Sequence, residues 1–303
     1  MLEFAVNFLA ATMRTATPLL IAALGLVFSE RSGVVNIGTE GIMLTGALLG
    51  CVGSFMFTSS LVGAVFAVVG GAILGLVFAF FTITLRSNQI VVGFALTIFA
   101  GGLTVVLSRM LLGGVRITAY PSYAIPGLSQ IPVVGNTLFN WPLLVYFAFL
   151  AVPVAGFVLY KTNTGLKIRS VGNHPKACDT VGINVFKIRY GAVVFSGAMS
   201  GLAGSFVSMG QLSMFLEDMV AGAGFMALAV CVFGNYSPKS VMLAALLFGA
   251  ADALKFRLLM TPTGGVFYQF MNMLPYAITI VALCFFARRS NRPAFSGVPY
   301  KKD

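Results

Sequence analysis

Apolar runs long enough to cross a bilayer follow one another along almost the whole chain. They cover residues 4–28, 35–57, 61–85, 89–112, 142–160, 190–211, 219–236, 240–256 and 266–287. A hydrocarbon core takes about 20 helical residues to cross. Inside it only helices and closed barrels satisfy their own backbone. The pattern therefore predicts an all-α, polytopic transmembrane bundle of about nine spans, eight to ten by length and hydropathy. Charged residues make up 9% of the 303, against about 25% in a soluble domain. Residues 1–303 read as one transmembrane domain, with a polar loop at 161–189 and a basic tail at 288–303. The first run starts close to Met1 without a basic leader and reads as a membrane segment, not a cleaved signal. Arg14 and Pro18 interrupt it, so it is either one tilted helix or a surface piece followed by a span.

The net charge of +11 invites a nucleic-acid reading, but the positions of the charges oppose it. Eleven of the 19 Lys and Arg fall in two segments, Lys161–Arg189 and Arg288–Asp303, that flank apolar runs. That is the positive-inside signature of cytoplasmic segments, whereas a nucleic-acid footprint is a basic face on a folded domain. The loop 161–189, the C-terminus, Glu30-Arg31 and Arg86 are placed on the cytoplasmic side. The segments 113–141 and 212–218 are placed outside. Lys255 and Arg257 fall outside too, against the rule. Cys51, Cys178, Cys231 and Cys284 show no disulfide or metal spacing.

The most unusual local stretch is Ser29–Ala47. It sets Glu30, Arg31, Asn36 and Glu40 among apolar residues and four glycines, between two hydrophobic runs. Ionisable groups at membrane depth need a partner or a cavity. Glu30 and Arg31 can satisfy each other or the loop backbone. Asn36 and Glu40, four apart, would share a helix face. They either line a central polar pathway or, in Glu40's case, lock a broken helix against its neighbours. A second polar joint, Arg86-Ser87-Asn88-Gln89, is either part of that pathway or a plain helix start. Phe94, Thr97 and Phe225 lie mid-span, where a planar solute could stack on a phenylalanine. Packing and lipid contact are the ordinary uses of such residues. Asp252 and Lys255 have the spacing of a local ion pair. Glu217 and Asp218 form a short acidic outer loop.

In the loop 161–189, Asn173 and His174 precede Pro175, and proline suits the first turn of a helix. Gly182 stands where a helix end needs positive φ. These signals enclose a helix of about two turns, Pro175 to Val181. Alone it would be unstable, so it packs on the membrane domain, on a partner, or on both. A solvated loop is the alternative. His174 is the single histidine. No metal cluster, nucleophile elbow or phosphate-binding Gly-rich loop occurs, so the chain reads as a non-enzyme without a metal or cofactor of its own.

With these residues assembled, a family resemblance emerges. Thr17-Pro18-Leu19 to Gly25, then Phe28-Ser29-Glu30-Arg31-Ser32-Gly33-Val34-Val35-Asn36-Ile37-Gly38-Thr39-Glu40-Gly41, resembles inner-membrane permeases of the ABC importer family that takes up branched-chain amino acids and ribose. Arg86–Gly93, Gly165-Leu166 to Arg169, Val171-Gly172-Asn173, Pro175 and Gly182-Ile183 extend the likeness over nearly the whole chain. The Ser-Glu-Arg-x-Gly-Val-Val-Asn-Ile-Gly form looks most like the shorter permease of nucleoside importers. The resemblance implies a multi-pass protein of the cytoplasmic (inner) membrane and four kinds of partner. These are a separate ABC ATPase that binds ATP and Mg, a second homologous permease, an external substrate-binding protein or lipoprotein, and membrane lipid. It makes the loop helix, with Asn173, Pro175, Lys176, Ala177, Asp179 and Gly182, a coupling helix seated in the ATPase. It makes Asn36, Glu40, Asn88, Phe94, Thr97 and Phe225 candidates for the substrate pathway. Purine or pyrimidine nucleosides are the first expectation for substrate, and riboflavin, a sugar or another small solute the alternative. An ion-coupled secondary transporter is the rival class, and it would have to use Glu40 or Asp252.

Overall fold

The computed structural model describes residues 2–113, 117–124, 139–259 and 291–302, with single positions at 273 and 277. The chain begins with α1 (Leu2–Arg31), α2 (Thr39–Phe57), α3 (Ser60–Ala79) and α4 (Gln89–Leu111). A short antiparallel pair follows, β1 (Ser122–Ala124) and β2 (Asn140–Pro142), with Tyr123 opposite Trp141. Next come α5 (Leu143–Lys161), α6 (Asn163–Asn173), α7 (Pro175–Thr180), α8 (Val185–Ser205), α9 (Ala223–Phe233) and α10 (Pro238–Leu259). Wider π-helical turns prolong α3 through Phe80–Thr84 and α8 through Phe206–Leu212.

Six of these helical stretches are long and apolar enough to cross a membrane. The run expected at 219–236 differs. Its helix, α9, has only 11 residues, and the chain before it is a series of turns with positive φ at Asp218, Ala221 and Gly222. The run at 240–256 is α10, and the run at 266–287 lies outside the described residues apart from 273 and 277. The two-stranded pair is a small departure from an all-helical chain. It lies in the segment expected to hold no long helix.

α1, α2 and α8 are enclosed by their neighbours, while α3, α4 and α5 keep an outward face. Glycine makes the enclosure possible. In a bilayer, helices associate through close packing, and small residues let backbones touch. A Cβ on Gly71 of α3 would collide with the backbone of Gly197 and Gly201 of α8, and a Cβ on Gly204 would strike the Met43 carbonyl of α2. Buried hydroxyls turn back onto their own helix, as in Thr17 to the Met13 carbonyl (2.7 Å) and Thr82 to the Phe78 carbonyl (2.7 Å).

The first run is one continuous helix through Arg14 and Pro18. Proline has no N–H for the carbonyl four residues earlier, and that carbonyl belongs to Arg14. The Gln211 side-chain amide donates to it instead, at 3.1 Å. In return the Arg14 guanidinium donates to the carbonyls of Gly210 (3.2 Å) and Gln211 (2.9 Å), at the π-helical end of α8. Two helical irregularities thus satisfy each other, as the bilayer interior requires.

At one end of the bundle the termini of several elements meet. Arg31 Nε donates to the Tyr236 carbonyl at 2.9 Å, and Nη2 lies 3.5 Å from the Tyr160 hydroxyl. The Asn291 amide donates to Asn235 Oδ1 at 2.6 Å. This end also carries α6, α7 and the tail, so it is the basic end.

A leucine at Gly201 cannot be accommodated, because both α3 and α2 press on that stretch of α8. Gly201→Leu should abolish the folded monodisperse peak in detergent size-exclusion chromatography, whereas Gly102→Leu, at a position with nothing within 4 Å among the described residues, should leave it intact.

Candidate functional site

The polar stretch after α1 forms a tight elbow. Ser32 N donates to the Phe28 and Ser29 carbonyls, Gly33 N to the Glu30 carbonyl and Val34 N to the Ser29 carbonyl. Ser29 Oγ donates to the Val34 carbonyl at 2.7 Å. The Val35 amide donates to Gln89 Oε1 at 2.8 Å, which fastens the elbow to the start of α4. Glu30 and Arg31 do not pair with each other. Arg31 turns to Tyr236, while Glu30 accepts from Ser296 Oγ of the tail at 3.4 Å. Asn36 sits in the elbow before α2 begins, so it does not share a helix face with Glu40. It is wholly buried, and both atoms of its amide lack a partner among the described residues.

Glu40, in the first turn of α2, is 7% exposed. Its carboxylate accepts the backbone amides of Gly222 (2.8 Å) and Gly224 (2.6 Å). These amides belong to the free N-terminus of α9, where a helix has unpaired donors and a positive dipole end. Of the two roles open to Glu40, its bonds are those of the lock on a broken helix. The same place gathers three further candidates. Gly41 packs against Thr97 of α4. The Phe225 ring, on the first turn of α9, lies 5.9 Å from the Phe94 ring at an interplanar angle of 34°. Both rings are partly exposed on the outer face of α4, beside the open positions Gly101 and Gly102. Asn88 stands apart. It caps α4, accepting from Ile90 N at 2.9 Å and Val91 N at 3.4 Å, about 9 Å along the helix from Phe94.

Two further acids are engaged as well. Asp252 pairs with Lys255 at 3.3 Å. At the end of the bundle opposite the basic one, Glu217 accepts from Arg109 Nε at 2.7 Å and Nη2 at 3.1 Å. That bond holds its carboxyl below the usual range.

The loop between α5 and α8 is more ordered than its charge suggests. α6 is an added 11-residue amphipathic helix whose start is capped by Thr162 Oγ1, which accepts from Gly165 N. α7 spans Pro175–Thr180, with proline in its first turn and Gly182 at φ +82° just past its end. Gly182 N and Ile183 N return to the Asp179 and Cys178 carbonyls and close the helix. The His174 side chain makes no cap bond. Pro175 and Cys178 are buried against the body, while Lys176, Ala177, Val181 and Gly182 are exposed. A cavity of about 430 Å³ lies between α6 and α7, lined by Leu166, Arg169, His174, Ala177 and Val181 among others.

The tail binds this loop to the elbow. The Phe295 amide donates to the Gly172 carbonyl and the Gly297 amide to the Gly33 carbonyl, each at 3.0 Å. The Ala294 amide donates to Asn173 Oδ1 at 3.3 Å. Arg189, 1% exposed, donates to the Val298 carbonyl at 3.1 Å. Tyr300 is buried with Val171, Cys178 and Val185, and Lys302 pairs with Asp179 at 3.6 Å. Asn173 and Asp179 therefore face the tail. Sequence reasoning named neither the tail contacts nor Arg189. The one available signal was an arginine and a tyrosine in segments otherwise explained by sidedness.

The model of branched-chain amino acid transport system permease components matches residues 8–283. The chain belongs to this family. It is a multi-pass membrane permease. NupQ of Bacillus subtilis, a guanosine ABC transporter permease protein, is 40% identical over 96% of this chain and 95% of its own length. NupC of Lactococcus lactis subsp. cremoris, a nucleoside ABC transporter permease protein, is 36% identical over 95% of this chain and 94% of its own. TsgC13 of Haloferax volcanii, provisionally named as a glucose ABC transporter permease, is 37% identical over 94% and 92%.

Removing the Glu40 carboxylate from the permease strands two buried amides, each costing about 1–3 kcal/mol. Glu40→Ala should therefore lower the thermal midpoint in detergent clearly, and Glu40→Gln, which keeps one acceptor, by less. Equal midpoints for both variants and the wild type would remove the lock.

Proposed function

We propose that this permease is the shorter membrane subunit of an ATP-driven importer for purine or pyrimidine nucleosides. The observation that carries the reading is its near-full-length similarity to NupQ and NupC. An external binding protein or lipoprotein would deliver the nucleoside, a second homologous permease would form the other half of the pathway, and a separate ATPase would bind ATP and Mg. The chain itself performs no chemistry on the solute.

Sidedness follows from charge: the basic end is cytoplasmic, which puts the tail inside. The nine-pass reading gains support from where elements end. Tyr236 meets Arg31, and Asn291 meets Asn235, so the chain is at the basic end after α1, after α9 and at the tail. The segment from Ser213 to Gly234 would then be one crossing, non-helical above and helical below. Discontinuous helices of this kind line solute paths in transporters. The path would run past Asn36, Phe94, Thr97 and Phe225, on the outer face of α4 where a second permease fits. Glu40 would shape the path by holding α9, and Asn88 by starting α4.

In this reading α7 is the coupling helix. Its exposed face and the cavity beside α6 would receive the ATPase, while Pro175 and Cys178 anchor it to the body. The tail would make α6, α7 and the elbow move together, so that motion at the ATPase reaches α2 and Glu40. The ion-coupled alternative needs a free intramembrane acid, and Glu40 and Asp252 are both engaged. The similarity to TsgC13 favours a sugar as the second substrate reading.

The test is ATPase stimulation of the reconstituted complex by binding protein loaded with a nucleoside, riboflavin or glucose. Stimulation by the nucleoside alone is expected; stimulation by sugar or flavin alone would replace the substrate, and absence of a co-purifying ATPase would end the importer reading. Val181→Asp, which charges the exposed coupling face, should cut stimulated ATPase and uptake at least tenfold while the permease still folds. Truncation after residue 290 should leave basal ATPase intact and abolish its coupling to uptake.

A further inference from the structure

A cavity of about 590 Å³ opens on the side of the bundle between α5 and α8, far from the Phe94–Phe225 face. Its floor is Leu24 and Phe28 of α1, and its walls are almost wholly apolar. Polar side chains occur only at the basic end, where Lys187 and Thr164 stand at the mouth. From Lys187 to Met199, both lining residues, α8 advances about 18 Å. That exceeds half of a hydrocarbon core about 30 Å thick, so the slot has the depth of one leaflet and the length of one extended acyl chain.

Gly191 keeps the slot open. A Cβ there would meet nothing within 4 Å among the described residues, although glycine inside a helix is less favourable than alanine. Among the described residues no crossing helix requires it, unlike Gly197 and Gly201 about two and three turns on. Lys187 is exposed, and its ammonium has no partner among the described residues; only its backbone amide is bound, by Asn184. An unpaired cation above an apolar slot of one-leaflet depth is complementary to an anionic head group on a fatty chain.

We propose that this slot is a binding site for one anionic phospholipid, its acyl chain laid between α5 and α8 and its phosphate on Lys187 and the Thr164 hydroxyl. The site is independent of the transported solute. A basic residue near the head groups favours anionic lipid by about 1 kcal/mol, a preference of about fivefold.

The probes are phosphatidylglycerol and phosphatidylcholine of matched chains, titrated into the delipidated transporter complex and counted by native mass spectrometry. Wild type should retain phosphatidylglycerol about fivefold better than phosphatidylcholine. Lys187→Gln should erase that preference while still binding both. Gly191→Leu, which fills open space without touching the fold, should lose the tightest-bound lipid of either kind. Equal retention of the two lipids by wild type, or undiminished phosphatidylglycerol on Gly191→Leu, would overturn the proposal. So would a photo-crosslinker at position 191 that captures a protein segment, from this chain or a neighbour, in place of lipid.

Discussion

A helix that begins within a packed bundle leaves amide donors without partners of their own, and one carboxylate supplies the partner here. Glu40 accepts Gly222 and Gly224 N–H groups at the start of α9. Without such an acceptor the turns at 213–222 would carry unsatisfied donors, each worth several kcal/mol in hydrocarbon. With it, the chain can abandon helical geometry, present Phe225 beside Phe94, and resume as a short helix. The elbow before α2 sets the height of Glu40, and the α2–α8–α3 glycine contacts set its distance from the rest of the bundle. An acid that looks like a transport residue in the sequence thus makes structural bonds, to the first amides of α9.

The basic end is organised by bonds between its charged groups and remote parts of the chain. Glu30, Arg31 and Arg189 would be costly where they lie if left to themselves. Each takes a partner from a remote part of the chain: Ser296, Tyr236 and Val298. The contacts tie elbow, loop and tail into one piece. Arg189 keeps two nitrogens without partners among the described residues, and Asn36 keeps a whole amide. These two are the groups whose surroundings would gain most from rearrangement when the permease changes access.

Much of the architecture was legible in the sequence because its causes are local or compositional. Run length and hydropathy account for the six long apolar helices. Pro175 and Gly182 fix α7 to within a residue. Glycines at helical spacing, Gly197-x-x-x-Gly201 among them, are a mark of close helix packing. The break before α9 was hidden, because residues 219–236 are apolar throughout and hydropathy does not distinguish a helix from a buried series of turns. The amides of Gly222 and Gly224 bind Glu40, a use that the glycine pair itself does not signal. Asn36 and Glu40 were expected on one helix face, but α2 starts only at Thr39. The tail looked like a sidedness marker because its bonds are made by backbone atoms, which leave no residue signature. α6 was missed because its 11 residues carry charge and glycine, and only packing against α5 and α8 makes it stable.

Joined by these bonds, the loop at 161–189, the elbow and the tail should move as one body and carry Glu40 and the start of α9 with them. Structures of the assembled transporter with and without bound nucleotide test it directly. The Lys302–Asp179, Gly297–Gly33 and Glu40–Gly224 contacts should persist in both states while the separation of Phe94 from its counterpart in a second permease changes. A nucleotide-dependent shift of α7 that breaks these contacts and leaves the elbow in place would contradict it.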